Sequence, residues 1–320
     1  MQVLLGLICM KGPVAILGGT GFVGRIFVER WPVGGPAQLR LLVHRSRPDW
    51  IATSGTEIRA VDLADRDSLV DALSGCAIVI NLLRPQGDDQ LLGLINLLVP
   101  ILAEAGVRRY IHCSSIDVYG NAAADRIDET IVPEPQTPYE REQLAAETIA
   151  QSAPIEACIV CLGAVFGAGG RNMVALAQET KHASTLKLVA RRTLYGKRRM
   201  HLVSVEKVAD VLRFLALSDS IRGGERILVT DDDAPENNFA FVQDGLMRAF
   251  GRPALAWVPQ APTAILRAGL RLRGRSNTNP MRRIATDKLQ AMGYSSNTDF
   301  RQQLMQYIAF LKRTEKQSLP

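Results

Sequence analysis

The sequence predicts an α/β protein: a doubly wound parallel sheet with helices on both faces, followed by a smaller mixed α/β C-terminal lobe. Three observations carry this prediction. Strand-length apolar runs alternate with stretches of helical periodicity through the first half of the chain. A glycine-rich turn joins the first apolar run to the first amphipathic stretch. Beyond about residue 167 the alternation gives way to an irregular mixture. The expected domains are therefore 1–166 and 167–320, with later segments returning to the main sheet.

The elements follow in order. Residues 13–17 are an apolar run ending in glycines, and 22–31 carry helical spacing. Strands are expected at 39–43 and 57–61, a helix at 68–73 and a strand at 77–83. The leucine-rich 91–105 reads as a helix, 109–114 as a strand, 139–151 as a helix and 155–165 as a long strand. In the C-terminal half, strand-like 202–205 and 226–229 mix with helical 207–217, 239–250 and 299–312.

Composition restricts the function classes. The chain has 320 residues, of which 47% are hydrophobic and 22% charged, as expected for a globular protein. The leucine-rich 91–105 is too short to cross a bilayer, so no integral membrane segment is expected. The first residues, MQVLLGLICMKG, lack a basic leader and make a poor signal peptide. The five cysteines, an odd number lying mostly in apolar runs, fit a reducing cytoplasmic setting. Cys158 and Cys161 are three apart on a strand and so face opposite ways, which argues against shared ligation. The histidines have no metal-like partners, and no metal site is expected. The net charge of +6 is unevenly placed, because 252–286 holds seven arginines and no acid. No aromatic residue interleaves with these arginines after Trp257, which argues against nucleic acid as a partner.

The turn reads PVAILGGTGFVG, with Gly18, Gly21 and Gly24 spaced three apart. Glycine serves where a turn is tight and where backbone must approach a pyrophosphate. The following helix, starting with Phe22 and Val23, offers its free N–H groups and positive dipole to that phosphate. This context predicts a Rossmann dinucleotide site. An acid after the second strand would suit the ribose of NAD; the chain has His44-Arg45-Ser46-Arg47 instead. Arg45 suits a 2′-phosphate, so NADP(H) is favoured over NAD(H). Asp62, after the third strand, is placed to reach the adenine amine.

Together these residues resemble the extended short-chain dehydrogenase/reductase family, the NAD-dependent epimerase/dehydratase group. GGTGFVG resembles its nucleotide turn and Val61-Asp62-Leu63 its adenine motif. YIHCSSIDVYG resembles its fifth strand, DETIVPEPQTPYEREQLAAE the approach to its Tyr-x-x-x-Lys helix, and DKLQAMGY its C-terminal segment. The resemblance implies that Ser115 holds a substrate oxygen and Tyr139 exchanges a proton with it. It also implies a cofactor site of Gly18, Gly21, Phe22, Val23, Gly24, Arg45, Asp62, Leu63, Leu82, Ser114, Tyr139 and Gln143.

Three positions depart from the pattern. Gln143 stands where the family's lysine holds the nicotinamide ribose and lowers the tyrosine pKa. Cys161-Leu162 stands where Arg-Pro is common, and Lys207 where an acid is common. An ordinary tyrosine, with a pKa of about 10, is a reluctant base but an adequate acid, so the loss of lysine hurts oxidation more than reduction. Three readings result. One is an NAD(P)-dependent reductase or epimerase, best suited to a nucleotide sugar or similar small molecule and compatible with a homodimer. The second is a non-catalytic dinucleotide-binding protein, a sensor or assembly factor, supported by Gln143. The third is a peripheral membrane enzyme using the basic region and residues 265–272.

Overall fold

The computed structural model describes residues 12–32, 35, 37–44, 50, 55–85, 89–255, 258–274 and 276–317. By compactness the chain divides into two units. The first comprises Met1–Ser115, Pro138–Cys161 and Ala209–Ile227; the second comprises Ile116–Thr137, Leu162–Val208 and Leu228–Pro320.

In chain order the first half contains β1 (Val14–Leu17), α1 (Phe22–Arg30), β2 (Leu39–Val43), β3 (Thr56–Ala60), α2 (Arg66–Leu73), β4 (Ile78–Asn81), α3 (Gln90–Glu104) and β5 (Arg109–Ser115). Then follow β6 (Arg126–Ile127), α4 (Pro138–Gln151), β7 (Glu156–Leu162) and β8 (Ala164–Phe166). The remainder contains α5 (Val174–His182), α6 (Thr185–Tyr195), β9 (Leu202–Ser204), α7 (Val205–Leu217), β10 (Glu225–Val229), α8 (Phe239–Ala249), α9 (Thr263–Leu272), β11 (Arg283–Ile284), α10 (Asp287–Ala291) and α11 (Phe300–Gln317).

Seven strands form the main sheet in the order β10-β7-β5-β4-β1-β2-β3. The pairs β1–β2, β1–β4, β2–β3 and β4–β5 are all parallel. Strands covered on both faces need continuous apolar runs rather than alternation, and β1, β2 and β4 are buried at every position. The order reverses between β1 and β4, so a crevice is expected outside their carboxyl ends.

Buried polar residues tie these layers together. Arg109 lies within β5 at 1% exposure. Its guanidinium donates to the carbonyls of Leu215, Ala216 and Ser218 at 2.6–3.0 Å, which satisfies the carboxyl end of α7. Asp65 caps α2 by accepting from the Asp67 amide at 3.0 Å. Pro100 lies inside α3. It sits on the exposed side, while Leu94, Ile95, Leu98, Ile101 and Leu102 bury the other face and hold the helix together.

One expected element is different. The strand expected at 155–165 is split: β7 ends at Leu162, and β8 pairs with β9 in a separate two-stranded sheet. Gly163 makes the break. Its N–H donates to Val229 O and that of Ala164 to His201 O. A Cβ at Gly163 would stand 2.3 Å from His201 O, so only glycine fits there. The second unit also carries a cluster in which Phe166, Leu202, Val242, Leu246, Leu304 and Ile308 are buried together.

Candidate active site

The glycine turn leaves β1 and enters α1. Gly18 has φ +75°, which favours glycine, and a Cβ there would meet Leu82 C at 3.1 Å. The expected cofactor residues Gly18 and Leu82 are thus neighbours, at the exits of β1 and β4. Gly24 is packed hardest, with a Cβ falling 2.4 Å from Gly19 Cα. Gly21 is open by contrast: its φ is −74° and its Cβ would meet only Gly18 O, at 3.2 Å. It is the N-cap of α1 and provides no side-chain cap. This backbone cradle, with its helix N-terminus, fits a dinucleotide pyrophosphate. Phe22 and Val23 are half-buried in the first turn.

Asp62 is exposed and Leu63 half-buried after β3. The Asp62 carboxylate accepts from the Ala64 amide at 3.0 Å, shaping the turn toward α2. Arg45 lies outside the described residues.

Behind Leu82 lies a buried polar cluster that the sequence reading missed. Asn81 Oδ1 accepts from the Leu83 amide at 3.0 Å and so fixes the β4 exit. Its Nδ2 donates to the Tyr110 hydroxyl at 3.1 Å and lies 3.3 Å from His112 Nδ1. All three residues are fully buried. Burial pushes the Tyr110 phenol and the Cys113 thiol up, and pushes His112 down to about 4.

Tyr139 and Gln143 share a face of α4, one turn apart. Gln143 Nε2 donates to the Tyr139 hydroxyl at 3.2 Å. Gln143 is 1% exposed and Tyr139 is 37% exposed, so a fixed amide holds a phenol that reaches solvent. Ser114 is buried and Ser115 half-buried at the end of β5.

A further turn along the same face stands Glu147, also missed. It is fully buried. Its carboxylate accepts from Ser114 Oγ at 2.5 Å, from Cys161 Sγ at 3.6 Å and from the Arg226 guanidinium. Burial raises the Glu147 pKa, and Arg226 opposes that rise. The carboxylate therefore links α4, β5, β7 and β10 beneath Tyr139 and Gln143. The spacing 139-143-147 and an arginine in the apolar strand 226–229 were the available signals.

The unusual residues at 161 and 207 both border ion pairs. Cys161 lies against the carboxylate that Arg226 neutralises. Lys207 donates to Asp231 Oδ1 at 2.5 Å and to Thr230 O at 3.0 Å. Cys158 and Cys161 are buried and form no disulfide. No group of His, Cys, Asp and Glu suited to a metal occurs among the described residues.

Comparison with known proteins agrees with this architecture. Residues 14–230 match the NAD dependent epimerase/dehydratase family. No protein with a curated description matches the chain. Among solved structures, MoeE5 in complex with UDP-glucuronic acid and NAD is 22% identical, with 95% of this chain and 100% of that one covered and a TM-score of 0.67. The dTDP-glucose 4,6-dehydratase of Bacillus anthracis with NAD is 13% identical, with coverages of 95% and 98% and a TM-score of 0.71. The UDP-glucose 4-epimerase of Thermotoga maritima with UDP-glucose is 14% identical, with coverages of 95% and 99% and a TM-score of 0.69. These similarities extend the likeness of fold along nearly the whole chain. With the match over 14–230, they place this chain in the NAD-dependent epimerase/dehydratase family.

Proposed function

We propose that the chain is an NAD(P)-dependent reductase or epimerase of the extended short-chain type, acting on a nucleotide sugar or a similar carbonyl or hydroxyl substrate. The observation that carries this reading is Tyr139, 37% exposed, with its hydroxyl hydrogen-bonded by the buried Gln143 amide. The nucleotide sugars bound to MoeE5 and to the Thermotoga maritima epimerase support the substrate class. The dinucleotide would rest on Gly18, Gly21 and the first turn of α1, with Leu82 beside it. When bound, its nicotinamide supplies the hydride chemistry. Arg45, following β2, favours NADP(H) on this reading.

The chain's own residues handle the oxygen and its proton. Ser115 donates a hydrogen bond to the substrate oxygen. Gln143 occupies the phenol oxygen of Tyr139 as a donor, so the phenol's proton is directed away from the amide, toward substrate. Tyr139 would give that proton to the substrate oxygen in the reducing direction. The amide is neutral, so it does not stabilise tyrosinate as an ammonium would. Reduction is the direction this arrangement serves better.

The test measures turnover in both directions against pH on a panel of nucleotide sugars and their keto forms. Tyr139→Phe should lose about 10²–10⁴-fold in turnover while keeping dinucleotide affinity. Gln143→Lys should shift alcohol oxidation toward lower pH and leave reduction nearly unchanged. Full activity in Tyr139→Phe would withdraw the roles of Tyr139 and Ser115. Dinucleotide binding without turnover on the panel, unrescued by Gln143→Lys, would favour the non-catalytic reading.

A further inference from the structure

Helix α9 has two apolar faces, and only one is used. Leu266 and Leu270, at 4% and 2% exposure, pack with Tyr195 and Phe239. Ile265 and Leu272 are 56% and 89% exposed. They are seven residues apart, so they share a stripe of the helix, with the exposed Ala268 between them. Arg267 and Arg271, four apart and both exposed, form the next row around the helix. Arg273, at the C-cap, turns toward the packed side instead, its guanidinium donating to the Tyr195 hydroxyl at 2.6 Å.

The surrounding sequence is one-sided in charge. Residues 252–286 hold seven arginines and no Asp, Glu or Lys, so the chain's net charge of +6 is located there. Some of these arginines are structural. Arg282 is buried on the carbonyls of Gly120 and Ala122. Arg252 donates to Lys181 O and Ala183 O, and Arg283 pairs with Asp233. The exposed arginines on α9 itself are Arg267 and Arg271, and Arg271 is the one next to the stripe, one turn from Ala268. Arg267 reaches Asn279 at 3.2 Å and lies 3.9 Å from Asp125.

The geometry points to α9 as a contact surface for an anionic phospholipid bilayer. A single exposed leucine needs no explanation. An exposed Ile-Ala-Leu stripe bordered by a row of arginine is the arrangement of a helix lying in a membrane interface. The apolar side chains enter the acyl boundary, the arginine stems lie along it, and the guanidiniums stay with the phosphates. A second copy of this chain would bring one arginine-rich segment against another. A nucleic acid would use the charge and leave Ile265 and Leu272 without a role. No described helix is long and apolar enough to cross a membrane, so the contact is peripheral. This inference is independent of the catalytic reading.

The experiment is co-sedimentation of the full chain with vesicles of phosphatidylcholine, alone or mixed with phosphatidylglycerol. Binding is expected only on the anionic vesicles, and it should weaken as salt is raised. Arg267→Gln and Arg271→Gln should each lower the partition coefficient about fivefold. The double change Ile265→Ser and Leu272→Ser should lower it at least about tenfold. The Arg271→Gln and Ile265/Leu272 variants should unfold at the wild-type temperature, since those side chains are exposed. The proposal is overturned by absence of sedimentation, by equal binding to neutral vesicles, or by unchanged partition in the Ile265/Leu272 variant. It is also overturned by a dimer that Leu272→Ser dissociates, which assigns the stripe to a second copy.

Discussion

Replacing Arg226 by methionine would test whether the Glu147 cluster holds the first unit together. Glu147 is fully buried, and Arg226 is the cation on its carboxylate. Methionine fills part of the space and removes the charge. The carboxylate keeps only the Ser114 hydroxyl and the Cys161 thiol as hydrogen-bond donors. Breaking a buried ion pair by removing one partner costs about 3–5 kcal/mol. At about 2–4 °C per kcal/mol, the unfolding midpoint should fall on the order of 6–20 °C.

The loss should also depend on pH, with a defined sign. Burial already raises the Glu147 pKa above the usual carboxylate range. A raised acid contributes its full stability below the unfolded pKa and loses it as pH rises through the folded value. Without Arg226 the folded value rises further. The variant's deficit should therefore be largest near pH 8 and shrink toward about pH 5. Cys161 touches the same carboxylate from β7, so Cys161→Arg in the Arg226→Met background should restore much of the lost midpoint. Scanning calorimetry at both pH values reads all of this. The reasoning fails if the midpoint falls by less than about 2 °C, if the deficit ignores pH, or if Cys161→Arg restores nothing.

Two further predictions separate binding from folding. Gly21→Val should weaken dinucleotide binding at least about tenfold while the protein stays folded, because its added Cβ meets only Gly18 O; calorimetric titration at wild-type affinity would remove the phosphate assignment. Gly24→Val should instead prevent stable folding, since its Cβ would fall 2.4 Å from Gly19 Cα; soluble protein with a wild-type melting temperature would contradict that packing. The buried His112, held down to about 4, contributes stability that is present above its unfolded pKa of about 6.5 and lost as pH falls toward 4. His112→Gln should flatten the unfolding midpoint across that window, and an unchanged acid slope would show that the histidine is not its source.

What the sequence made legible was local. The turn from β1 into α1 declares itself because glycine is required by backbone geometry, and β2 lies where its apolar run lies. The run 155–165 misled because its break is tertiary. Gly163 still bonds to Val229 of β10, and Ala164 passes to His201 and the pairing with β9, contacts far along the chain that no local pattern records. Tyr139 and Gln143 came from the resemblance to a Tyr-x-x-x-Lys helix, and their spacing of four puts them in hydrogen-bond contact on α4. Glu147 lies on the same face, but burial of a carboxylate is intelligible only with Ser114, Cys161 and Arg226 around it. Asn81 is similar: its value lies in the Leu83 amide and the Tyr110 hydroxyl, which the sheet register supplies.

The substitution at Gln143 has a consequence that depends on the direction of one hydrogen bond. The amide donates from Nε2 to the phenol oxygen of Tyr139, and its buried Oε1 has no donor among the described residues. On the proposed reading, a lysine at this position would orient the phenol and a ribose hydroxyl through one charged group. The amide divides those tasks between two atoms: Nε2 serves the phenol, and Oε1 is left to accept a hydrogen bond from the ribose side. Orientation of the tyrosine is thus retained, while the positive charge that favours tyrosinate is lost. A site changed in this way gives up proton abstraction before it gives up proton donation. On the proposed reading, the same residue that weakens alcohol oxidation therefore sustains carbonyl reduction, because the geometry around Tyr139 survives the loss of the charge.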